Sequence, residues 1–482
     1  MSKKLSVKAW VIIIACIVLV ITLFLTCLIT ATAKDENRFI YELNADKKSY
    51  SIVGIKNAYR GGWFAKETIE VPETHKKLAV TSIKQIRNLQ KTKTVILPDG
   101  LKEIGASAFY NSSIASIVIP DSVEIIGTSA FENCTSLANV TLPNNLMEIS
   151  ETLFRSCFSL TEITLPNTVT AIGYGAFQYC YGLESFTLPT NLTFIDAEAF
   201  SGCTGLVSIE LPSKLRTIGD KAFENCFSLI EICNNSNLNI IEGASNNGKV
   251  AENAKHVYYD TEESYIVRTD NGDNVFFNDG TTVLFVKHYG NETSITLPDF
   301  NGKAYSIHDY AFYNNSTVKE VVMPDTVTEI GWSAFNSCSS LQKVTIGNGV
   351  SVINGEAFRA CKQLGEINFG SGIKTIGYRA FYECTKLATV NLKDSIQTID
   401  EEAFAWCSQL KNVTIGKNLQ EIGKQAFFNC YVFTELHFGG TTAQWETVKL
   451  GSQWTWDNNS TKRAPSCEKI ICSDGVIETI AD

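Results

Sequence analysis

Cysteine is the residue type whose number and spacing in this chain most directly suggest chemistry. The chain has 15 cysteines, and thiols act as nucleophiles, metal ligands or disulfide partners. Ten of them recur at one fixed place in a sequence repeat, and these are Cys134, Cys157, Cys180, Cys203, Cys226, Cys338, Cys361, Cys384, Cys407 and Cys430. Each lies among apolar neighbours, so we predict a ladder of buried free thiols that behave as small hydrophobes. The alternative is disulfide bonding between neighbouring coils.

The other candidates for chemistry are few. Cys467 and Cys472 lie outside the repeat and are the better candidates for a disulfide bond. No zinc-binding spacing accompanies any cysteine. The five histidines form no recognisable nucleophile motif or metal triad, and they are His75, His256, His288, His308 and His437. We therefore predict no catalytic residue, no metal site, no cofactor and no enzyme activity.

One acidic cluster suggests calcium. Asp270, Asp273 and Asp279 lie close together around Gly272 and Gly280. Their spacing differs from that of an EF-hand loop, so we favour a polar hairpin with an Asp-Gly turn over a calcium site.

The cysteines are positioned by coils of a 23-residue repeat. Its consensus is L-x-x-[VI]-x-[LI]-P-x-x-[LV]-x-x-I-[GDS]-x-x-A-F-x-x-C-x-x. A fixed period of this length is typical of a solenoid, which usually offers a binding surface rather than a catalytic cleft. The Phe lies three residues before each Cys. We predict that these Phe residues share the core ladder with the cysteines, and they include Phe131, Phe177, Phe200, Phe223, Phe335, Phe358, Phe381 and Phe404.

Within a coil, alternation of apolar and polar residues predicts a strand. Val140 and Leu142 alternate about Thr141, and Pro143 ends the strand because it cannot donate a ladder hydrogen bond. The Gly of the Ile-Gly step, as at Gly173, supplies backbone freedom, and the Ala-Phe-x-x-Cys stretch forms a short helical turn. The predicted fold is a mainly β solenoid with a parallel sheet along one face.

The N-terminus predicts export. Residues 1–8 form a basic tip, and residues 9–33 carry no charge over a length that suffices to cross a bilayer. We predict a transmembrane helix that leaves the N-terminus in the cytoplasm and the repeats outside the cell. The alternative is a signal peptide cleaved after Ala33, which releases a secreted protein.

The rest of the chain divides by the presence or absence of the repeat. Residues 34–97 read as a cap of short strands, 98–233 as a first repeat array and 234–305 as an irregular β insert that resembles the cap. Residues 306–438 are a second array. Residues 439–482 read as a C-terminal cap rich in Trp, with a sugar-binding Trp platform (Trp445, Trp454, Trp456) as the alternative. The net charge of −10 and the absence of a basic run argue against nucleic-acid binding.

The units P-x-x-[LV]-x-x-I-G-x-x-A-F-x-x-C-x-x-L, across roughly residues 95–438, resemble those of the BspA-like leucine-rich repeat surface proteins with the Treponema-type 23-residue repeat. The resemblance implies a leucine-rich repeat solenoid. It also implies a secreted or surface-anchored protein, with adhesion to host matrix proteins or to other cells as the associated activity.

A row of outward-facing strand positions is the candidate binding surface, here called the strip. Its members are Thr141, Thr164, Thr187, Glu210, Thr345, Asn368, Asn391 and Thr414. We expect the strip to be continuous and to bind an extracellular protein or a cell-surface ligand, such as host matrix, in an adhesin-like role. The alternatives are a structural spacer with no ligand-binding face and a glycan-binding module.

Overall fold

The computed structural model describes residues 38–60, 65–259, 262–455 and 467–478. Each repeat forms one coil, and equivalent strands of successive coils hydrogen-bond in parallel. Among these residues, no helix has the length and apolar character needed to span a bilayer. The predicted transmembrane segment, residues 9–33, lies outside the described part of the chain.

The first ladder of strands holds the V-x-L segments. The middle residue of each three-residue strand, such as Ile117 in Ser116–Val118, points inward. In the first half of the chain its strands are Thr68–Glu70, Thr94–Ile96, Ser116–Val118 and Asn139–Thr141, then Ser208–Leu211, Glu231–Asn234 and His256–Tyr258. In the second half they are Ser294–Thr296, Glu320–Val322, Lys343–Thr345, Glu366–Asn368, Thr389–Asn391, Asn412–Ile415, Glu435–Phe438 and Lys469–Ile471, closed by the antiparallel Val476–Glu478.

A second ladder holds the segment that ends in the Ile of the Ile-Gly step. It begins with Phe39–Leu43, Ser49–Ile55, Thr74–His75 and Leu78–Ile83, and continues through Glu103–Ile104, Ile125–Ile126, Glu148–Ile149, Ala171–Ile172, Phe194–Ile195 and Thr217–Ile218. It resumes with Ile266–Arg268, Asn274–Asn278, Val283–His288, Tyr305–Ile307, Val327–Ile330, Val352–Ile353, Thr375–Ile376, Thr398–Ile399, Glu421–Ile422 and Lys449–Leu450. The solenoid thus has two parallel ladders, where the sequence predicted one sheet.

The predicted helical turn at Ala-Phe-x-x-Cys is wrong. Ser129 and Asn133, on either side of Phe131, have φ values of 56° and 60°. These left-handed conformations are incompatible with an α-helix. The stretch is a tight turn whose backbone bonds to the next coil, since Phe131 N donates to the carbonyl of Leu153 at 3.0 Å. The described helical segments are Thr442–Trp445 and the 3-10 turns Asn57–Tyr59, Asn247–Lys249 and Phe300–Gly302.

The Gly after the Ile serves close approach rather than backbone freedom. A Cβ on Gly173 would stand 2.9 Å from the Glu151 nitrogen and the Ile149 oxygen of the preceding coil, and Gly173 itself has no positive φ. Gly105 and Gly127 occupy this position in the first two coils of the first array, and from there on glycine alternates with residues that carry a side chain. The following residues are Ser150, Gly173, Asp196 and Gly219 in the first array, and His308, Gly331, Asn354, Gly377, Asp400 and Gly423 in the second.

The Phe side chains form a continuous stack inside each array. The Phe177 ring lies 5.3 Å from that of Phe200 between centroids, at an interplanar angle of 9°. The same arrangement runs from Phe109 to Phe223 and again from Phe285 to Phe427. These rings are buried, and each belongs to a different coil, so the stack joins coils that are 23 residues apart in sequence.

The ten repeat cysteines lie beside this stack as buried thiols that form no disulfide with one another. Each thiol donates to the carbonyl of the Phe in the preceding coil, as Cys180 Sγ does to Phe154 O at 3.1 Å. Burial raises the pKa of the Cys180 thiol to about 12, so the thiol stays protonated at neutral pH. The structure therefore contains no disulfide between neighbouring coils among these residues.

Cys467 and Cys472 are not bonded to each other, which corrects the predicted disulfide. They lie on either side of the strand Lys469–Ile471. Five residues of extended chain span roughly 16 Å, well beyond the separation that a disulfide bridges. Cys467 Sγ contacts the carbonyl of Lys469 at 3.4 Å instead.

The two arrays have separate apolar cores, so the chain is not one continuous solenoid. One core runs from Phe39 to Ala254, and the other from Phe276 to Cys472. A third, small core joins them, formed by Val207 and Ile230 of the first array with Val275, Phe277 and Val286. The last three residues belong to the antiparallel hairpin of Asn274–Asn278 and Val283–His288. This hairpin is the first part of the second array, and it packs against the first array.

The C-terminal tryptophans close the second core, as far as they are described. Trp445 is buried against Phe438, with ring centroids 5.2 Å apart, and Trp454 packs half-buried on the last coil. A buried ring cannot serve as a sugar platform, so the alternative of a Trp-lined site does not hold for Trp445. Trp456 lies outside the described residues.

The stacked rings predict a large difference between two phenylalanines that are 17 residues apart. Phe177→Ala should lower the free energy of unfolding by about 3 to 5 kcal/mol, because it leaves a cavity between two rings. Phe194→Ala is the matched control, since this ring is 36% exposed on the second ladder. Denaturant unfolding of both variants measures the difference, and equal losses would contradict a stabilising stack.

The thiol ladder predicts an alkylation pattern. In the native chain at pH 8, the ten repeat cysteines should resist alkylation, because they are buried. In the chain unfolded without reductant, they and both Cys467 and Cys472 should be alkylated. Peptide mass spectrometry reads the pattern. A peptide that contains Cys467 and Cys472, carries no label and has a mass lower by two hydrogens would show that these two cysteines form a disulfide after all.

Candidate binding surface

The strip lies on the outside of the first ladder. The side chains of Thr141, Thr164, Thr187, Glu210, Asn368, Asn391 and Thr414 are exposed, and that of Thr345 is half-buried. Strand register places neighbours side by side, as Thr345 with Asn368 and Asn391 with Thr414. The ladder thus holds these side chains in a row whose backbone is fixed by hydrogen bonds.

The predicted continuity of the strip is wrong in both arrays. In the second array Glu366–Asn368 and Thr389–Asn391 belong to separate sheets. The gap in the first array is longer. Thr164 and Thr187 lie in coils that form no first-ladder strand, so the ladder stops at Asn139–Thr141 and resumes at Ser208–Leu211. An open cleft of about 430 Å³ separates Thr141 from Thr164. The second ladder continues through the same coils, so the coils separate on the strip side only.

Charged side chains that lie beside the strip, on the same strands, are partly paired with one another. Lys343 Nζ lies 3.3 Å from a carboxylate oxygen of Glu366 and 3.6 Å from one of Glu320. These two carboxylates raise the pKa of Lys343. All three side chains are well exposed, so the pairs add little stability but leave a locally acidic surface.

The carboxylates of the acidic cluster in the insert accept hydrogen bonds from residues of their own turns. Asp279 accepts hydrogen bonds from the Thr281 and Thr282 backbone, which lowers the pKa of this carboxyl group. Asp273 accepts from the Asn271 side chain. Among the described residues, no group of three His, Cys, Asp or Glu side chains is arranged to hold a metal ion.

Sequence reasoning missed the junction between the two arrays. Lys287 Nζ donates to the carbonyl of Thr204 at 3.1 Å, and the Tyr289 hydroxyl donates to that of Gly205 at 2.6 Å. Phe227 stacks on Tyr310 with ring centroids 3.7 Å apart. These partners are more than 80 residues apart in sequence. The one available signal was Lys287 itself, a charged residue inside the apolar run Val283–His288.

Burial shifts the titration of the junction groups. It lowers the pKa of the Lys287 ammonium to about 8 and raises the pKa of the half-buried Glu184 carboxyl group. It also lowers the pKa of His308 to about 4, against the opposing effect of Asp309 and with a smaller contribution from Lys255. The Nε2 of His308 is inaccessible and has no hydrogen-bond partner.

A sequence model of the family described as "BspA type Leucine rich repeat region (6 copies)" matches residues 62–184, 170–249, 285–352 and 333–448. The chain is also similar to a solved leucine rich cell surface protein from Faecalibacterium prausnitzii, with 24% identity over 86% of this chain and 96% of that one and a TM-score of 0.35. A leucine-rich repeat protein from Bacteroides ovatus is 23% identical over 86% and 97%, with a TM-score of 0.35. No curated protein matches the chain.

His308 predicts a loss of stability in acid. Because its folded pKa of about 4 lies below the unfolded value of 6.5, protonation favours the unfolded chain as the pH falls from 6.5 to 4. Between pH 6.5 and pH 4, the free energy of unfolding should fall by about 3 kcal/mol less in His308→Gln than in the unmodified chain. Denaturant titrations at several pH values measure this difference. His437→Gln, at an exposed position, is the control, and parallel curves for the unmodified chain and His308→Gln would contradict the assignment.

Proposed function

Because the chain belongs to the BspA-type leucine-rich repeat family, we propose that it is an exported, surface-exposed protein that binds other proteins or cell surfaces without catalysis. The observation that carries this proposal is the second-array part of the strip, where strand pairing holds Thr345 beside Asn368 and Asn391 beside Thr414 at the surface. Side chains held on a rigid backbone lose little conformational entropy when a partner binds, so such a surface suits recognition.

The proposed partner is an extracellular protein or a cell-surface ligand, with host matrix as the first class to test. The proposed anchor is the apolar segment 9–33, with the repeats outside the cell; release after cleavage following Ala33 is the alternative. The buried cysteines suit either location, because burial shields their thiols from an oxidising exterior.

Two substitutions test the strip. Thr164→Arg and Asn368→Arg should weaken binding to a partner by at least tenfold, because each places a long charged side chain on the contact surface. Thr217→Arg is the matched control, since Thr217 is an exposed threonine on the second ladder. All three variants should melt like the unmodified chain, because the substituted positions are exposed.

The measurement is binding of the full chain, kept in solution with a mild detergent, to immobilised host matrix proteins and to whole cells. Saturable binding that is lost in both strip variants and kept in Thr217→Arg supports an adhesin-like role. Binding that is unchanged in the strip variants moves the contact elsewhere. An unmodified chain that binds no member of the panel supports a structural spacer instead.

A further inference from the structure

A cavity of about 350 Å³ opens where the second array meets the flank of the first. Phe158, Tyr181 and Glu184 line it from the first array, and Lys287 and Asn314 from the second. The cavity forms where the hairpin of Asn274–Asn278 and Val283–His288 docks against the first array through the small joining core. No residue of the strip lines it, and the inference below does not depend on the function proposed for the strip.

The polar groups of the cavity are incompletely paired. The buried Lys287 ammonium donates one hydrogen bond, to Thr204, and an ammonium group has three N–H donors. Among the described residues, the Glu184 carboxylate makes no side-chain hydrogen bond or ion pair, and neither do the amides of Asn314 and Asn291. One wall of the cavity therefore offers hydrogen-bond donors and acceptors together.

Two aromatic rings of the first array also line the cavity. The rings of Phe158 and Tyr181 stack with centroids 5.1 Å apart, at an interplanar angle of 25°. Phe158 is 41% exposed, and the equivalent residues of the other cysteine-bearing coils in this array are Thr135, Tyr181, Thr204 and Phe227, so the repeat accepts a polar residue here. A large ring on the surface beside unpaired polar groups is a feature that the repeat does not require.

We propose that this cavity binds a neutral sugar residue of a glycan. A sugar ring presents a face of C–H groups that packs on aromatic rings, and its rim of hydroxyl groups both donates and accepts hydrogen bonds. Lys287, Asn291 and Asn314 supply donors, and Glu184 supplies an acceptor.

The charges of the cavity select a neutral ligand. The Lys287 and Glu184 charges attract each other across it without forming an ion pair. A charged sugar meets one attractive and one repulsive group here and would leave the repulsive charge unpaired, whereas a neutral ring can hydrogen-bond to both groups without disturbing their mutual attraction. Arg268, which also attracts Glu184, does not line the cavity.

The first test is saturation-transfer NMR of the full chain with separate sugars. The neutral probes are methyl β-galactoside, methyl β-glucoside and N-acetylglucosamine, and the charged probes are glucuronic acid and glucosamine. At least one neutral probe should bind, and the charged probes should bind at least tenfold more weakly. Failure of every neutral probe to bind, or tighter binding of a charged probe, would overturn the proposal.

Two variants locate the site. Phe158→Ala should weaken binding of the neutral sugar at least tenfold, while Phe194→Ala, an exposed Phe on the second ladder, should leave it unchanged. Glu184→Gln should raise the affinity for glucuronic acid at least threefold, because it removes the charge that excludes the acid. Equal binding by Phe158→Ala and the unmodified chain would place the sugar outside this cavity.

The strip variants separate this inference from the proposed adhesin role. Thr164→Arg and Asn368→Arg should bind the neutral sugar as the unmodified chain does, since neither residue lines the cavity. Loss of matrix binding with unchanged sugar binding would leave both conclusions standing, and each fails only on its own measurement.

Discussion

The close stacking of coils at the Phe-Cys column is the constraint on which the rest of the structure depends. Successive coils place their rings about 5 Å apart, as Phe177 and Phe200 do, and in ten coils a thiol also reaches the carbonyl of the preceding Phe. This spacing is close to the separation of hydrogen-bonded strands, so both ladders stay in register with the rings. The two-residue strands of the second ladder are too short to form a stable sheet alone, and the buried column holds them together.

The sequence predicted what the period controls. A fixed spacing accounts for the presence of a solenoid. It also accounts for the burial of the repeat cysteines, such as Cys180, and for the inward direction of Val and Ile. The turn around Phe131 could not be predicted, because its left-handed positions carry Ser and Asn rather than the Gly that marks such backbones. The Gly that the sequence does show, as at Gly173, responds to a neighbouring coil, which local propensity does not reveal.

The surface could be predicted less well than the core. Which side chains face outward on the strip follows from alternation, but the break between Thr141 and Thr164 depends on how the coils separate in three dimensions. The junction is wholly tertiary, since Lys287 and Thr204 are 83 residues apart and meet only where the two cores dock. Its cavity is also the least repetitive part of the surface, and it places an aromatic pair beside a buried amine that neither array contains by itself.

The alternation after the Ile has a consequence for how such an array changes length. Where one side-chain-bearing coil is lost, two glycines become neighbours, as Gly105 and Gly127 already are. Where a glycine coil is lost, residues such as Ser150 and Asp196 become neighbours, an arrangement that the two arrays do not show between Ile126 and Gly219 or between Ile307 and Gly423. The glycine coils therefore separate the side-chain-bearing coils in these stretches. Gain or loss of a pair of coils, 46 residues, preserves this order, whereas loss of a single glycine coil does not.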